Sequence, residues 1–240
     1  MAEAAGGAAR EGQAPEALEP HEALVTLVRR MPPAVDRYEL GPIRTNCYVV
    51  RAERGAQEAV VVDPGDDATS LRLEIARMSV RVAGILVTHT HYDHIGAVAE
   101  LAEASGAPVY VSEQEAPVLV RPSDFYPGRQ IRPWEAEVQL AGDETIDLAG
   151  LTFETVQVPG HSPGHLAFYT DEALFSGDVL FAGSVGRTDL PQASWDTLVE
   201  SIRALVDRFP PDTVVYSGHG PQTTLGAELS RNPFLAELRA

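Results

Sequence analysis

The sequence predicts a single domain that mixes β-strands and α-helices, as α/β or α+β, with its chemistry gathered at strand ends. Three observations carry this. Apolar, β-branched runs bounded by turn residues recur along the chain. Segments with helical spacing lie between some of them. Six of the seven histidines fall in three short stretches that directly follow such runs, and only His21 lies elsewhere.

In chain order, residues 1–20 are rich in Ala, Gly, Glu and Pro without apolar periodicity, which predicts a flexible tail ahead of one domain over 21–240. Strands are predicted at Asn46 to Val50, Ala59 to Val62, Ile85 to Val87, Val109 to Val111, Thr152 to Val158, Leu166 to Tyr169 and Thr213 to Tyr216. Helices are predicted at Ala68 to Met78, His94 to Ser105 and Trp195 to Phe209, the last with Leu198, Ile202, Leu205 and Val206 on one face. There is no internal repeat and no linker-like stretch. Strands and helices alternate irregularly in both halves, which suggests sheets with helices outside them.

Composition narrows the function. The formal net charge is -17, with acidic residues spread through the chain, so the long-range field repels phosphate backbones and anionic membranes. Nucleic acid is not the expected partner, and neither is a membrane. Cys47 is the lone cysteine, which excludes a disulfide framework and a thiolate metal cluster and fits a reducing cytoplasm. The first residues lack a basic start and an apolar stretch, and no segment approaches the roughly 18 apolar residues of a membrane span. Oligomeric state is not legible.

The histidine stretches supply the chemistry. In Thr88-His89-Thr90-His91-Tyr92-Asp93-His94, which follows an apolar run, His89 and His91 are two apart and face the same side of an extended chain, so they can share one metal. Asp93 and His94 follow where the chain turns helical and can aim at a second. The alternative is a solvated loop with Asp93 as helix cap; three histidines and an aspartate in six residues weigh against it. His161, in Pro159-Gly160-His161-Ser162-Pro163-Gly164-His165, ends a strand between glycines and is the third histidine expected at the first metal. His165 is expected to support the ligands from behind or to hold the loop. Asp178 ends the run Ala173 to Gly177 and can bridge two cations, with an ordinary turn aspartate as the alternative. His219 ends the strand before it between Gly218 and Gly220.

These motifs, in this order, resemble those of the metallo-β-lactamase fold, with Val62-Asp63-Pro64-Gly65 where that family has its early Asp motif. The resemblance implies an α+β four-layer αββα sandwich with the site at one edge between the sheets. It implies that His89, His91 and His161 hold one metal, Asp93, His94 and His219 another, and that Asp178 bridges both. Asp63 would stand behind the ligands, or serve only as a turn former. Within the family, Gly183-Ser184-Val185-Gly186-Arg187-Thr188-Asp189-Leu190 and the later Gly218-His219-Gly220-Pro221 with Asn232-Pro233-Phe234 resemble the short glyoxalase II-like hydrolases, which cleave S-acylglutathione thioesters.

The expectation is therefore a metal-dependent hydrolase acting on a small-molecule thioester through a hydroxide bridging two divalent metal ions, with Asp93 and Asp178 as its catalytic carboxylates. The nitrogen and oxygen ligand set suits Zn first, with Fe or Mn as alternatives. Longer glyoxalase II enzymes carry a helical extension with basic residues that hold glutathione; the chain ends soon after His219, so weak glutathione binding is expected. Arg187 can meet a substrate carboxylate or pair with Asp189. A lactamase of the commonest type would have cysteine where Asp178 stands. Persulfide dioxygenases, which use one iron and oxygen, share much of the pattern and are the alternative. A non-catalytic metal-binding member is a further one.

Overall fold

The computed structural model describes residues 31–239. The tail expected over 1–20 lies outside the described residues, as does His21.

Two six-stranded sheets form the centre. The first starts as an antiparallel meander of β1 (Ala34–Leu40), β2 (Thr45–Arg51) and β3 (Glu58–Val62). Helix α1 (Ala68–Met78) then crosses to β4 (Arg81–Leu86), which lies parallel to β3. Helices α2 (Tyr92–Ile95) and α3 (Val98–Ser105) lead to β5 (Val109–Ser112), and α4 (Ala116–Val120) and α5 (Pro122–Phe125) to β6 (Val138–Leu140), each again parallel.

The second sheet has β7 (Thr145–Leu148), β8 (Leu151–Gln157), β9 (Leu166–Thr170) and β10 (Ala173–Gly177), antiparallel throughout. A small hairpin, β11 (Leu180–Phe181) with β12 (Ser184–Val185), precedes helix α6 (Trp195–Arg208). That helix returns the chain to β13 (Val214–Ser217), parallel to β10, before β14 (Thr223–Thr224), α7 (Leu225–Arg231) and a 3-10 segment, Pro233–Arg239.

Period-two alternation within each strand explains why these sheets are layered. Cys47 and Val49 of β2, with Ala59 and Val61 of β3, turn outward onto Leu71 and Ile75 of α1 and Val98 and Leu101 of α3. Their neighbours Tyr48, Val50, Val60 and Val62 turn inward and meet Leu166, Phe168 and Phe175 of the second sheet. On its far side that sheet sets Ala167, Leu174 and Val215 against Leu198, Ile202 and Leu205 of α6. Helix, sheet, sheet, helix is the four-layer αββα sandwich. Because central strands are buried on both faces, they read in sequence as continuous apolar runs.

Helix α6 shows how local sequence sets its limits. The Ser194 side chain accepts from Thr197 N–H at 3.3 Å, Asp196 lies in the first turn and Arg208 in the last, each favourable to the helix dipole. The single helix expected from His94 to Ser105 is instead α2 and α3. Ala97 N–H donates to Pro64 O at 2.9 Å rather than four residues back, so the β3 to α1 loop breaks the helix. Among the described residues no helix is long and apolar enough to cross a membrane.

Candidate metal centre

The loops that carry the site follow β3, β4, β8, β10 and β13, where the two sheets meet at one edge. Strands β8 and β10 run the same way because each is antiparallel to β9, and β13 is parallel to β10, so their C-terminal ends share that edge. Several hydrogen bonds tie the sheets together there, among them two from β2. Asn46 N–H donates to Gly218 O at 2.7 Å, and Tyr48 Oη–H to Ser217 O at 2.6 Å.

Asp63 sits at φ 50, in the left-handed region of a turn, and its carboxylate reaches both Thr88 and His94. Its Oδ1 accepts Thr88 N–H at 2.8 Å and its Oδ2 accepts Thr88 Oγ1–H at 2.7 Å. Oδ2 also lies 2.9 Å from His94 Nδ1. A proton on Nδ1 satisfies that contact and leaves the Nε2 lone pair free, the orientation a metal-ligating histidine needs. His161 is set the same way, with Nδ1 donating to Arg187 O at 2.8 Å. Gly160 before it has φ 132, and a Cβ there would lie 2.4 Å from backbone atoms of Leu198 in α6. Contact with the helix, rather than access of a ligand to His161, is what requires this glycine.

The groups singled out in the sequence converge. His91 Nδ1 lies 3.0 Å from His89 Nε2 and 2.8 Å from His161 Nε2. On the other side His94 Nε2 is 3.5 Å from Asp93 Oδ2, and His219 Nε2 is 3.3 Å from the same oxygen. Asp178 stands between: Oδ1 is 3.4 Å from His94 Nε2, and Oδ2 is 3.5 Å from both His161 Nε2 and His219 Nε2. His89, His91 and His161 form one group able to hold a metal ion, and Asp93, His94 and His219 another; His89 and His94 also group with Asp178. Among the described residues, buried His94 Nε2 and Asp178 Oδ1 have no hydrogen-bond partner, although they face each other. Buried lone pairs left unmet are costly, and a cation between them meets both.

Electrostatics divide the two groups. Burial pushes His91 down to about 4, with His161 adding to the effect. Burial likewise holds His89 well below the usual histidine value and lowers His161. Burial opposes protonation of His94 and His219 too, but carboxylates win: Asp178 and Asp63 hold His94 well above its usual value, and Asp178 and Asp93 raise His219 to about 9. Against the opposing effect of burial, His219 and His94 lower Asp93 to about 2, and His94 and His219 hold Asp178 well below the carboxylate range.

His165 joins neither group. Its Nδ1–H donates to Leu166 O at 3.1 Å, its Nε2 accepts Asp178 N–H at 3.1 Å, and its ring stacks on His89 with centroids 4.6 Å apart. The Arg187 guanidinium is paired with Asp189 through two contacts of 2.7 Å. Sequence reasoning missed Thr45, whose Oγ1–H donates to Asp93 Oδ2 at 2.7 Å, and Glu115, which reaches two histidine loops. Above the site lies a cleft of about 980 Å³, lined by His91, Asp93, His161, Asp178 and His219 and walled by Tyr92, Phe125, Tyr126 and Phe181. Its size suits a small molecule.

The model of the metallo-beta-lactamase superfamily matches residues 40–219, and the chain belongs to that superfamily. Over 213 residues it is 35% identical to the probable metallo-hydrolase YqgX of Bacillus subtilis, spanning 86% of this chain and 96% of that one. It is 33% identical over 205 residues to the hydroxyacylglutathione hydrolase GloC of Haemophilus influenzae, spanning 79% and 92%. Among solved structures, BLEG-1, described as a B3 metallo-beta-lactamase, matches with TM-score 0.79 at 39% identity over 85% of this chain and all of that one. TTHA1623, solved in a di-iron-bound form, matches with TM-score 0.67 at 39% identity over 84% and 100%. Fold, family and a His/Asp cluster of metal-binding make-up together define a metal-dependent hydrolase of this superfamily.

Proposed function

We propose that the protein is a dinuclear thioester hydrolase of the S-acylglutathione type, acting in the cytoplasm on a small-molecule substrate, with Zn as its first-choice metal. The observation that carries the two-cation reading is Asp178, whose two oxygens reach both histidine groups, while its buried Oδ1 and the facing His94 Nε2 lack a hydrogen-bond partner. His89, His91 and His161 would hold one cation and Asp93, His94 and His219 the other, with Asp178 shared. When bound, such a pair supplies a hydroxide nucleophile at neutral pH and polarises a carbonyl. The protein's part is to hold that geometry. Thr45 fixes Asp93, whose free acceptor capacity can orient the attacking water. Tyr92, Tyr126 and Phe181 offer the acyl group an apolar flank in the cleft, and a weakly basic thiolate leaves without a strong general acid. The relative GloC supports the thioester as substrate.

Supplied with S-lactoylglutathione, the loaded protein is expected to release free thiol without consuming oxygen. Thiol reagent and oxygen electrode, run in parallel on that thioester, on glutathione persulfide and on a chromogenic β-lactam, separate the readings. Oxygen uptake on persulfide without thiol release from any thioester would reject hydrolysis; β-lactam cleavage alone would move the substrate to that class.

The protonation pattern gives a second expectation. Asp178 and Asp93 raise His219 to about 9, and Asp178 and Asp63 raise His94, so protons compete with a cation for the Asp93 group and its affinity is expected to rise with pH. The lone pairs of His89, His91 and His161 are free at neutral pH, with His91 gaining a proton only near 4. Equilibrium dialysis against Zn²⁺ should therefore show two cations per chain at pH 8.5 and movement toward one by pH 6. Loss of both together would contradict this division.

A further inference from the structure

The geometry points to Glu115 as a positioning residue that clamps the loop of His89 and His91 to the loop of His161, and so sets the first cation site. This inference rests on the dinuclear reading above. The three histidines come from different sheets: His89 and His91 follow β4 of the first, and His161 follows β8 of the second. Their loops are far apart in sequence, and the ring nitrogens must be held to within tenths of an ångström to share one ion.

Glu115, on the turn after β5, is 4% exposed and spans the gap. Its Oε2 accepts Thr90 N–H at 3.1 Å and also Thr90 Oγ1–H, from the residue between His89 and His91. Its Oε1 accepts Ser162 Oγ–H at 2.7 Å and Gly164 N–H at 3.1 Å, on the residues just after His161. Two oxygens thus take four donors, a full set for an ionised carboxylate and one that a protonated acid or an amide cannot reproduce. No salt bridge to Glu115 is present among the described residues, so these donors alone offset its charge. Thr90 is gripped from the other side as well, since Tyr126 Oη–H donates to Thr90 O at 3.0 Å. The negative charge also acts at His91 in the sense that favours a cation there.

The test is cation binding, with Co²⁺ and Zn²⁺ as probes on chelator-stripped protein. His161→Ala identifies the equivalent held by the histidine trio; if wild type binds no cation, or His161→Ala leaves both equivalents intact, the dinuclear reading itself fails, whatever Glu115 does. Given that equivalent, Glu115→Gln is expected to weaken it about 10- to 100-fold in chelator competition, the range for an outer partner of a metal site, and to change its Co²⁺ visible spectrum. Glu115→Asp keeps the charge but is one methylene shorter and cannot span both loops, so it should not restore wild-type affinity. Glu228→Gln is the control. Glu228 is an equally buried carboxylate that accepts from Gly183 N–H, Thr223 Oγ1–H and Asn232 Nδ2–H and touches neither histidine loop. It should lower the melting temperature without moving cation affinity. If Glu115→Gln behaves like that control, or Glu115→Asp restores wild-type affinity, the clamp is overturned. Should Glu115→Gln fail to fold, Ser162→Ala removes one of the four bonds with Glu115 in place; a severalfold loss of affinity supports the clamp and an unchanged affinity rejects it.

Discussion

Replacing Asp178 by Asn is expected to release one cation and lower kcat/KM by more than roughly a hundredfold, beyond the 10- to 100-fold typical of an outer partner. The carboxylate presents Oδ1 to His94 and Oδ2 to His161 and His219, at 3.4 to 3.5 Å. An amide offers an acceptor on one side only and turns N–H donors toward the other. It also removes the negative charge that helps to neutralise two cations in a buried setting. His165→Ala is the comparison. It deletes the acceptor for Asp178 N–H and leaves a gap beside His89, yet all seven candidate ligands remain. Its loss should fall within the smaller range. Elemental analysis and steady-state kinetics at matched metal content make the comparison, and a larger loss at His165 would refute the proposed ligand set.

Gly218→Ala should cost as much activity as losing Asp178, although it leaves all seven of those residues in place. A Cβ at Gly218 would lie 2.1 Å from Asp178 Oδ1 and 2.6 Å from His94 Cε1. Both neighbours are buried, His94 tied through Nδ1 to Asp63 and Asp178 tied through its backbone N–H to His165, so relief has to come from moving them. Overpacking of this kind costs about 1–3 kcal/mol, which the fold can absorb because the clash is confined to the site edge. The variant is therefore expected to fold, to bind at most one cation and to turn over very slowly. Circular dichroism checks the first and elemental analysis the second. Two cations with normal turnover would show that Asp178 does not sit between them.

Much of the centre was legible because its members are rare residue types packed densely in sequence. Three histidines in six residues at a strand end are hard to account for except as metal ligands. Fold class came from buried central strands, whose apolar runs are continuous. The edges were harder. Strand β1, AVDRYEL, is half exposed and mixes charge with apolar residues, so no run marks it. Strands β11, β12 and β14 are two residues long, below any period. The break between α2 and α3 depends on a carbonyl from Pro64, remote in sequence, taking the Ala97 amide. Glu115 was invisible for a related reason: it is one of 35 acidic residues, and only folding brings Thr90 and Ser162 to it.

The bonds from Asn46 and Tyr48 to the end of β13 have a consequence for how metal arrives. They join the two sheets with protein atoms alone, at the edge where the histidines converge. Much of the entropy of gathering groups spread from residue 89 to residue 219 is therefore spent in joining the two sheets. On the dinuclear reading, uptake is then expected to need little chain rearrangement, and one divalent ion is expected to replace another while the sandwich stays closed.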